Sequence, residues 1–303
     1  SSASQAYVKQ YLWTGTSSYN GGAIKYDLDF VLTSYQSSTC DLWEEVHSED
    51  FFWNRFNQRR ALLIGAALAT KMGDSSSAAR YTSAAKDIEG NLNDHWNGQF
   101  VFESVNRQKD GAVIVAFNDG YTGDLFPPTG PKVAGTISTL TTLFNTMFAI
   151  NRQDTQNGIP GVMYGRYEGD HYAGGNPWVL TSGALAQVFY RGASQAFEEQ
   201  VIPKEKDMAV WRDVLGLDSE ATIDSHLEFA SLLANQGDAV LYRIRYHVEK
   251  YGFHLPEQLD RNTGVPTSAT DLTWSYATVL KAMHARTTYL DAVKTYFSAL
   301  AQQ

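Results

Sequence analysis

Residues 51–71, FFWNRFNQRRALLIGAALATK, followed after a short break by residues 75–92, SSSAARYTSAAKDIEGNL, decide the fold class. In the first stretch Phe52, Phe56, Leu63 and Ala67 recur at helical spacing, and Ser48 with Asp50 supplies a capping signal just ahead of it. The second is more polar, with small residues and Lys, Asp and Glu, as an outer helix is. The pair therefore reads as two adjacent helices. The same period continues outward. Ile24, Leu28, Val31 and Tyr35 mark one face of a helix over 23–38, and further helices are expected at 137–151, 177–199, 219–235, 237–250, 271–285 and 288–301. Strand signals are local: residues 100–102 and 112–115 are expected to pair as short strands. The reading is an all-α fold of paired helices. Three long loops, over 95–136, 152–176 and 251–270, interrupt it. Loops longer than about 12–15 residues are uncommon unless they build a site.

Composition narrows the function. The 303 residues are 43% hydrophobic and 19% charged, which suits a protein with a real core. Seven Trp, 17 Tyr and 15 Phe are more than a core needs, which points either to sugar-binding rings, since flat pyranose faces stack on them, or simply to a ring-rich core. A net charge of −9 repels phosphate backbones, so nucleic acid is not an expected partner. No apolar stretch approaches the roughly 18 residues of a membrane span. Cys40 is the single cysteine, which excludes an internal disulfide, and no Asn-x-Ser/Thr sequon occurs. Both point toward a reducing or non-glycosylating compartment. The seven histidines show no metal-binding spacing, so no metal site and no cofactor are expected.

Three constellations carry possible chemistry. The first is Asp41-Leu42-Trp43-Glu44-Glu45. An indole beside a carboxyl can desolvate it and raise its pKa, as a general acid requires. The alternative is a set of acids placed before a helix start. The second runs from Gly165-Arg166-Tyr167-Glu168-Gly169-Asp170-His171-Tyr172 to Gly175-Asn176-Pro177-Trp178. Asn176 as N-cap with Pro177 at the first helical position reads as a helix start that places Trp178 in the first turn. Arg166 either forks onto sugar hydroxyls or ties down the loop through Asp170. The third is His254-Leu255-Pro256-Glu257-Gln258-Leu259-Asp260 with Asp271-Leu272-Thr273-Trp274-Ser275-Tyr276. It suits a fixed carboxylate, or else an exposed loop acid. His226 and His247 fall on helices and are expected to be core or surface residues, and Cys40 a buried, inert thiol.

Taken together and in this order, these strings, with Phe51-Phe52 and Gln58 to Leu62, resemble the glucoamylase family of glycoside hydrolases (family 15). The resemblance implies an (α/α)6 toroid and an inverting, exo-acting hydrolysis of α-1,4-glucosidic bonds in starch- or glycogen-like glucans, releasing β-glucose. One carboxylic acid protonates the leaving oxygen and a second carboxylate activates water. Matched motif to motif, Glu44 is the implied acid and Glu257 the implied base. Glu45, Arg166, Tyr167 and Tyr172 are implied to bind the sugars flanking the scissile bond. Trp43, Trp178 and Trp274 are to wall the pocket, Gln258 is to steady the base loop, and the Trp neighbours are to keep water from Glu44.

The chain departs from the family in having Glu168-Gly169-Asp170 where Pro-Glu-Asp is usual, and in lacking its aromatic-Thr-Arg-Asp motif. Residues 1–303 are accordingly expected to be the C-terminal portion of one catalytic domain, with about four of six helical hairpins. An N-terminal segment of the same gene product, or a second chain, is expected to complete the pocket, and the isolated portion to turn over little substrate. Alternatives are a family member acting on dextran or trehalose, and a regulatory domain of the kind found in phosphorylase kinase large subunits. Family enzymes are often secreted, against the lean given by Cys40 and the missing sequon.

Overall fold

The computed structural model describes residues 2–14 and 22–302. They form two compact units. The first comprises residues 1–96 with 103–105 and 119–122, and the second residues 97–102, 106–118 and 123–303.

The first unit holds helix α1 (Ser2–Val8), which runs into a π-helical turn over Lys9–Trp13, and α2 (Ala23–Ser34). A two-stranded antiparallel hairpin follows, β1 (Thr39–Cys40) with β2 (His47–Ser48), then α3 (Phe52–Met72) and α4 (Ser75–Leu92). The core row of α3 is Phe52, Arg55, Phe56, Arg59, Leu62, Ala66, Ala69 and Met72. This row passes through Leu62 and Ala66 rather than the expected Leu63 and Ala67. Two buried guanidiniums lie on it, and charged residues in sequence read as the outer face. Arg59 is satisfied by Glu89 of α4 at 3.0 Å and by Thr122 at 2.9 Å.

The start of α3 also differs from the expected cap. Glu103, remote in sequence, accepts the Phe52 amide through its carbonyl at 2.8 Å and the Trp53 amide through its carboxylate at 3.2 Å. At the other end Gly73 adopts φ 81, and its amide and that of Asp74 return to Thr70 and Ala69. Asp74 then caps α4 by accepting from Ser77 at 3.0 Å. Gly65 lets α2 cross closely, since a Cβ there would meet Leu28 Cδ2 at 2.6 Å.

In the second unit the expected strand at 112–115 is instead helix α5 (Ala112–Asp119). Its residues 112–117 are all buried, so the run has no polar alternation to reveal its period. Helix α6 (Pro131–Met147) begins with Pro131 in its first turn. The chain breaks at Phe148 and continues as α7 (Ala149–Gln156), so the expected 137–151 helix is two. Helix α8 (Val179–Glu198) is buried on every face over 179–186 and mostly buried beyond, and it packs against both α10 (His226–Val248) and α11 (Thr273–Leu300). Between them comes α9 (Met208–Leu215), unforeseen in sequence and anchored by Trp211 edge-on to Phe229 at 4.9 Å.

Helices α10 and α11 were each expected as two. Gly237 is the reason in α10: the Tyr190 ring occupies the place of its Cβ, at 2.7 Å, so the glycine is a packing contact and not a break. A second hairpin, β3 (Gln258–Leu259) with β4 (Pro266–Thr267), lies between α10 and α11. Among the described helices no single one is long and apolar enough to cross a membrane.

Candidate active site

Residues 41–46 form the loop of the first hairpin. Asp41 is buried and holds the turn: its Oδ1 accepts from the amides of Glu45 at 2.7 Å and Val46 at 3.1 Å, and its own amide donates to Val46 O at 2.9 Å. Arg55 of α3 clamps both ends, donating to Ser37 O at 3.0 Å and Glu49 O at 3.1 Å, while Asn54 donates to Cys40 O at 3.0 Å. Within this frame Trp43 is buried and Glu44 and Glu45 are exposed. The water-excluded setting expected for Glu44 is therefore corrected. Glu44 has φ 61, a left-handed backbone that sends its side chain outward while the preceding indole enters the core. Cys40 is half-buried rather than buried, and burial followed by Asp41 and Glu44 pushes its thiol pKa up.

The second unit carries the rest. Glu257 sits half-buried at the mouth of the second hairpin, where Ser268 donates its hydroxyl to Glu257 Oε2 and Gln258 Nε2 stands 3.3 Å from the same oxygen. Ser268 has φ 64, so the backbone is bent to deliver that hydroxyl. The amide of Glu257 donates to Ala269 O at 2.8 Å, the amide of Leu259 to Pro177 O at 3.0 Å and that of Val179 to Glu257 O at 3.3 Å. The Glu257 loop is thus sewn to the start of α8. At the hairpin tip Gly264 (φ 69) lies so close to His247 that a Cβ would meet its ring at 2.2 Å. His247 is a core residue, paired with Asp154 at 2.8 Å.

Asn176 is not the expected cap, and Trp178 is not in the first turn: α8 starts at Val179 with Trp178 as its N-cap residue. Asn176 is buried and joins three segments, donating to Gln258 Oε1 at 3.0 Å and Ala173 O at 2.9 Å and accepting from the Arg261 amide at 3.1 Å. That use of a side chain requires the fold to be known, since the partner at 258 is invisible locally.

Arg166 is buried and grips Asp170 with a two-pronged bond, Nε to Oδ2 at 2.9 Å and a terminal nitrogen to Oδ1 at 2.6 Å. Its guanidinium carbon lies 4.8 Å from the Tyr172 ring centre, 5.1 Å from Tyr167 and 5.4 Å from Trp178. Trp178 is buried and Tyr172 is 51% exposed, a ring available to a flat ligand. The loop-tying role of Arg166 is present, and the bond leaves its guanidinium face among three aromatic rings. Trp274 is half-buried in the first turn of α11, whose start is fixed by Ser275 donating to Pro256 O at 2.8 Å. Beside it Tyr276 and then His254 donate to Asp271 and hold its carboxyl below the usual range. Ser268 is a contributor that sequence reasoning missed, and Asn176 and Asp271 stood in the quoted strings without these bonding roles. The second unit thus joins Arg166, Tyr167, Tyr172, Trp178, Glu257 and Gln258 into one connected constellation, and the first unit presents Trp43, Glu44 and Glu45 on one hairpin.

The model of glycosyl hydrolases family 15 matches residues 2–284. The chain belongs to that family. Its relatives include a glucoamylase of Blastobotrys adeninivorans, 32% identical over 93% of this chain and 49% of its own length. A glucoamylase of Rhizopus oryzae is 29% identical over 90% of this chain and 49% of its own length. Among solved structures, the family-15 glucoamylase from Hypocrea jecorina superposes with a TM-score of 0.77 at 26% identity, covering 94% of this chain and 51% of that one. The Hormoconis resinae glucoamylase gives 0.76 at 28% identity, over 87% and 47%. The chain spans about half the length of the family-15 relatives it matches. Its fold is the all-α, (α/α)6 type of these glucoamylase neighbours.

Proposed function

We propose that the protein carrying this chain hydrolyses terminal α-1,4-glucosidic bonds of starch- or glycogen-like glucans, releasing β-glucose by inversion. Glu257 is the base. It takes a proton from a water, whose oxygen attacks the anomeric carbon. Glu44 is the acid and gives its proton to the departing glycosidic oxygen, so one C–O bond forms as the other breaks and the configuration inverts. The observation that carries this reading is the setting of Glu257. A carboxylate held by the Ser268 hydroxyl, in a loop anchored to α8 and to the start of α11, keeps a fixed orientation in which it can receive a proton. Tyr172 beside Arg166 supplies an exposed ring face and guanidinium donors suited to pyranose C–H faces and hydroxyls, and Trp43, Glu45, Tyr167, Trp178, Gln258 and Trp274 complete the proposed sugar-binding set. The match to glucoamylases over most of the chain supports the same substrate class.

The test uses the full gene product containing residues 1–303. Proton NMR of maltooligosaccharide digests is expected to show β-glucose as the first-formed anomer. Glu44→Gln and Glu257→Gln are each expected to lower kcat by about 10²–10⁴-fold with the fold intact. Retention of wild-type kcat in both variants would overturn the roles, and α-glucose as first product would overturn inversion.

A further inference from the structure

In the second unit, the loop ahead of α5 runs beside the segment that follows Gly165. Asp110 bridges to Tyr167, the Glu168 amide donates to Lys109 O at 3.1 Å, and the Gly111 amide donates to Arg166 O at 2.5 Å. The approach is close enough to require glycine: a Cβ on Gly111 would stand 2.6 Å from Gly165 O. Asp110 is buried and caps α5 by accepting the Ala112 amide at 2.7 Å, and Lys109 pairs with Glu168 at 3.3 Å. This double strip fixes the backbone on either side of Tyr167. It also fixes Arg107, whose guanidinium carbon lies 3.9 Å from the Tyr167 ring centre, nearer than that of Arg166 at 5.1 Å. Arg107 stands 4.0 Å from Asp110, and its side chain is 14% exposed. Two guanidiniums thus engage one phenol ring, and the second of them continues to Tyr172 and Trp178.

We propose that Arg107 is a positioning residue that holds the Tyr167 ring as a platform for sugar on the leaving-group side of the scissile bond. The inference rests on the glucan-hydrolysing reading given above and on Tyr167 as a sugar contact. A ring on a loop that must be immobilised when substrate arrives binds more weakly than one already held, and a guanidinium stacked on its face does the holding. Such an effect belongs to binding and not to bond cleavage, so it is felt in KM. It is also confined to substrates that have a sugar on that side.

The experiment compares wild type, Arg107→Ala and Arg107→Lys, in the full gene product, on two substrates. Maltoheptaose has leaving-group sugars, and α-glucosyl fluoride has only fluoride there. Arg107→Ala is expected to raise KM for maltoheptaose by about three- to tenfold with kcat within about twofold, while α-glucosyl fluoride kinetics stay unchanged. Arg107→Lys keeps the cation without the planar stack and is expected to recover part of the loss. An equal loss on both substrates, or no change on either, would overturn the role. A wild type that cleaves neither substrate would remove the glucan-hydrolysing reading itself, a failure separate from any pattern among the variants.

Discussion

At the scale of single residues, Glu44 shows the conflict between chain geometry and chemistry most clearly. Its left-handed φ of 61 is a conformation that L side chains occupy at a cost of about 1–2 kcal/mol. Glu44→Gly and Glu44→Ala are both expected to be inactive. In urea unfolding, however, the glycine variant is expected to be the more stable by about 1 kcal/mol, because only it sits in that region without strain. Equal stability of the two would mean the turn relaxes. Residue identities here were legible in sequence and their settings were not. The string around Glu44 could be matched from sequence alone, yet its exposure follows from a turn held by Asp41 and Arg55. Helical spacing alone gives no reason to bury Arg55 and Arg59, and both are buried because the Ser37 and Glu49 carbonyls meet the first and Glu89 and Thr122 the second.

Among the helices, the boundaries of α3 and α4 were readable to within a residue, because Gly73 and Asp74 encode the break locally. Where a boundary depended on tertiary contact, it was misplaced. Gly237 looks like a break until the Tyr190 ring fills its side. Residues 112–115 read as a strand because burial on every face over 112–117 erases the helical period. Helices α8, α10 and α11 meet at a polar junction. Asp238 of α10 accepts from Tyr190 of α8 at 2.5 Å and from Arg286 of α11 at 2.6 Å. Burial opposes ionisation of Asp238, but the bonds from Arg286 and Tyr190 outweigh it and leave the pKa below the ordinary value, while Arg286 is raised. A carboxylate depressed on folding adds stability above its unfolded pKa of about 3.9, and that share is lost as pH falls through the lower folded value. Asp238→Asn is therefore expected to lower Tm at pH 7 by only about 2 °C, since the pair is partly solvated. The gap to wild type should close as pH drops below about 4. A gap that persists unchanged at pH 2.5 in calorimetry would refute the linkage.

For the molecule as a whole, helical periodicity was enough to give the all-α class, and the ordered motifs gave the family. Neither indicated which segments would be joined across the sequence. The Glu257 loop bonds to 176–179, and its flanks to 269–275, through amides and side chains whose partners lie up to 85 positions away. Helix α8 is buried all round over 179–186 and keeps a half-buried stripe through Gln187, Arg191 and Gln195, with α10 on one side, α11 on another, and Gly183 and Gly192 admitting Thr278 and Leu233 closely. Its amides can exchange with deuterium only when those neighbours part together. Peptides covering 179–198 are expected to label last in mass spectrometry, well after those of 273–300, where few residues are buried. Labelling of α8 as fast as α11 would show that it opens by itself. If it labels last, the strand-like start of α8 that carries Trp178 and clasps Glu257 is tethered to the slowest clock in the chain.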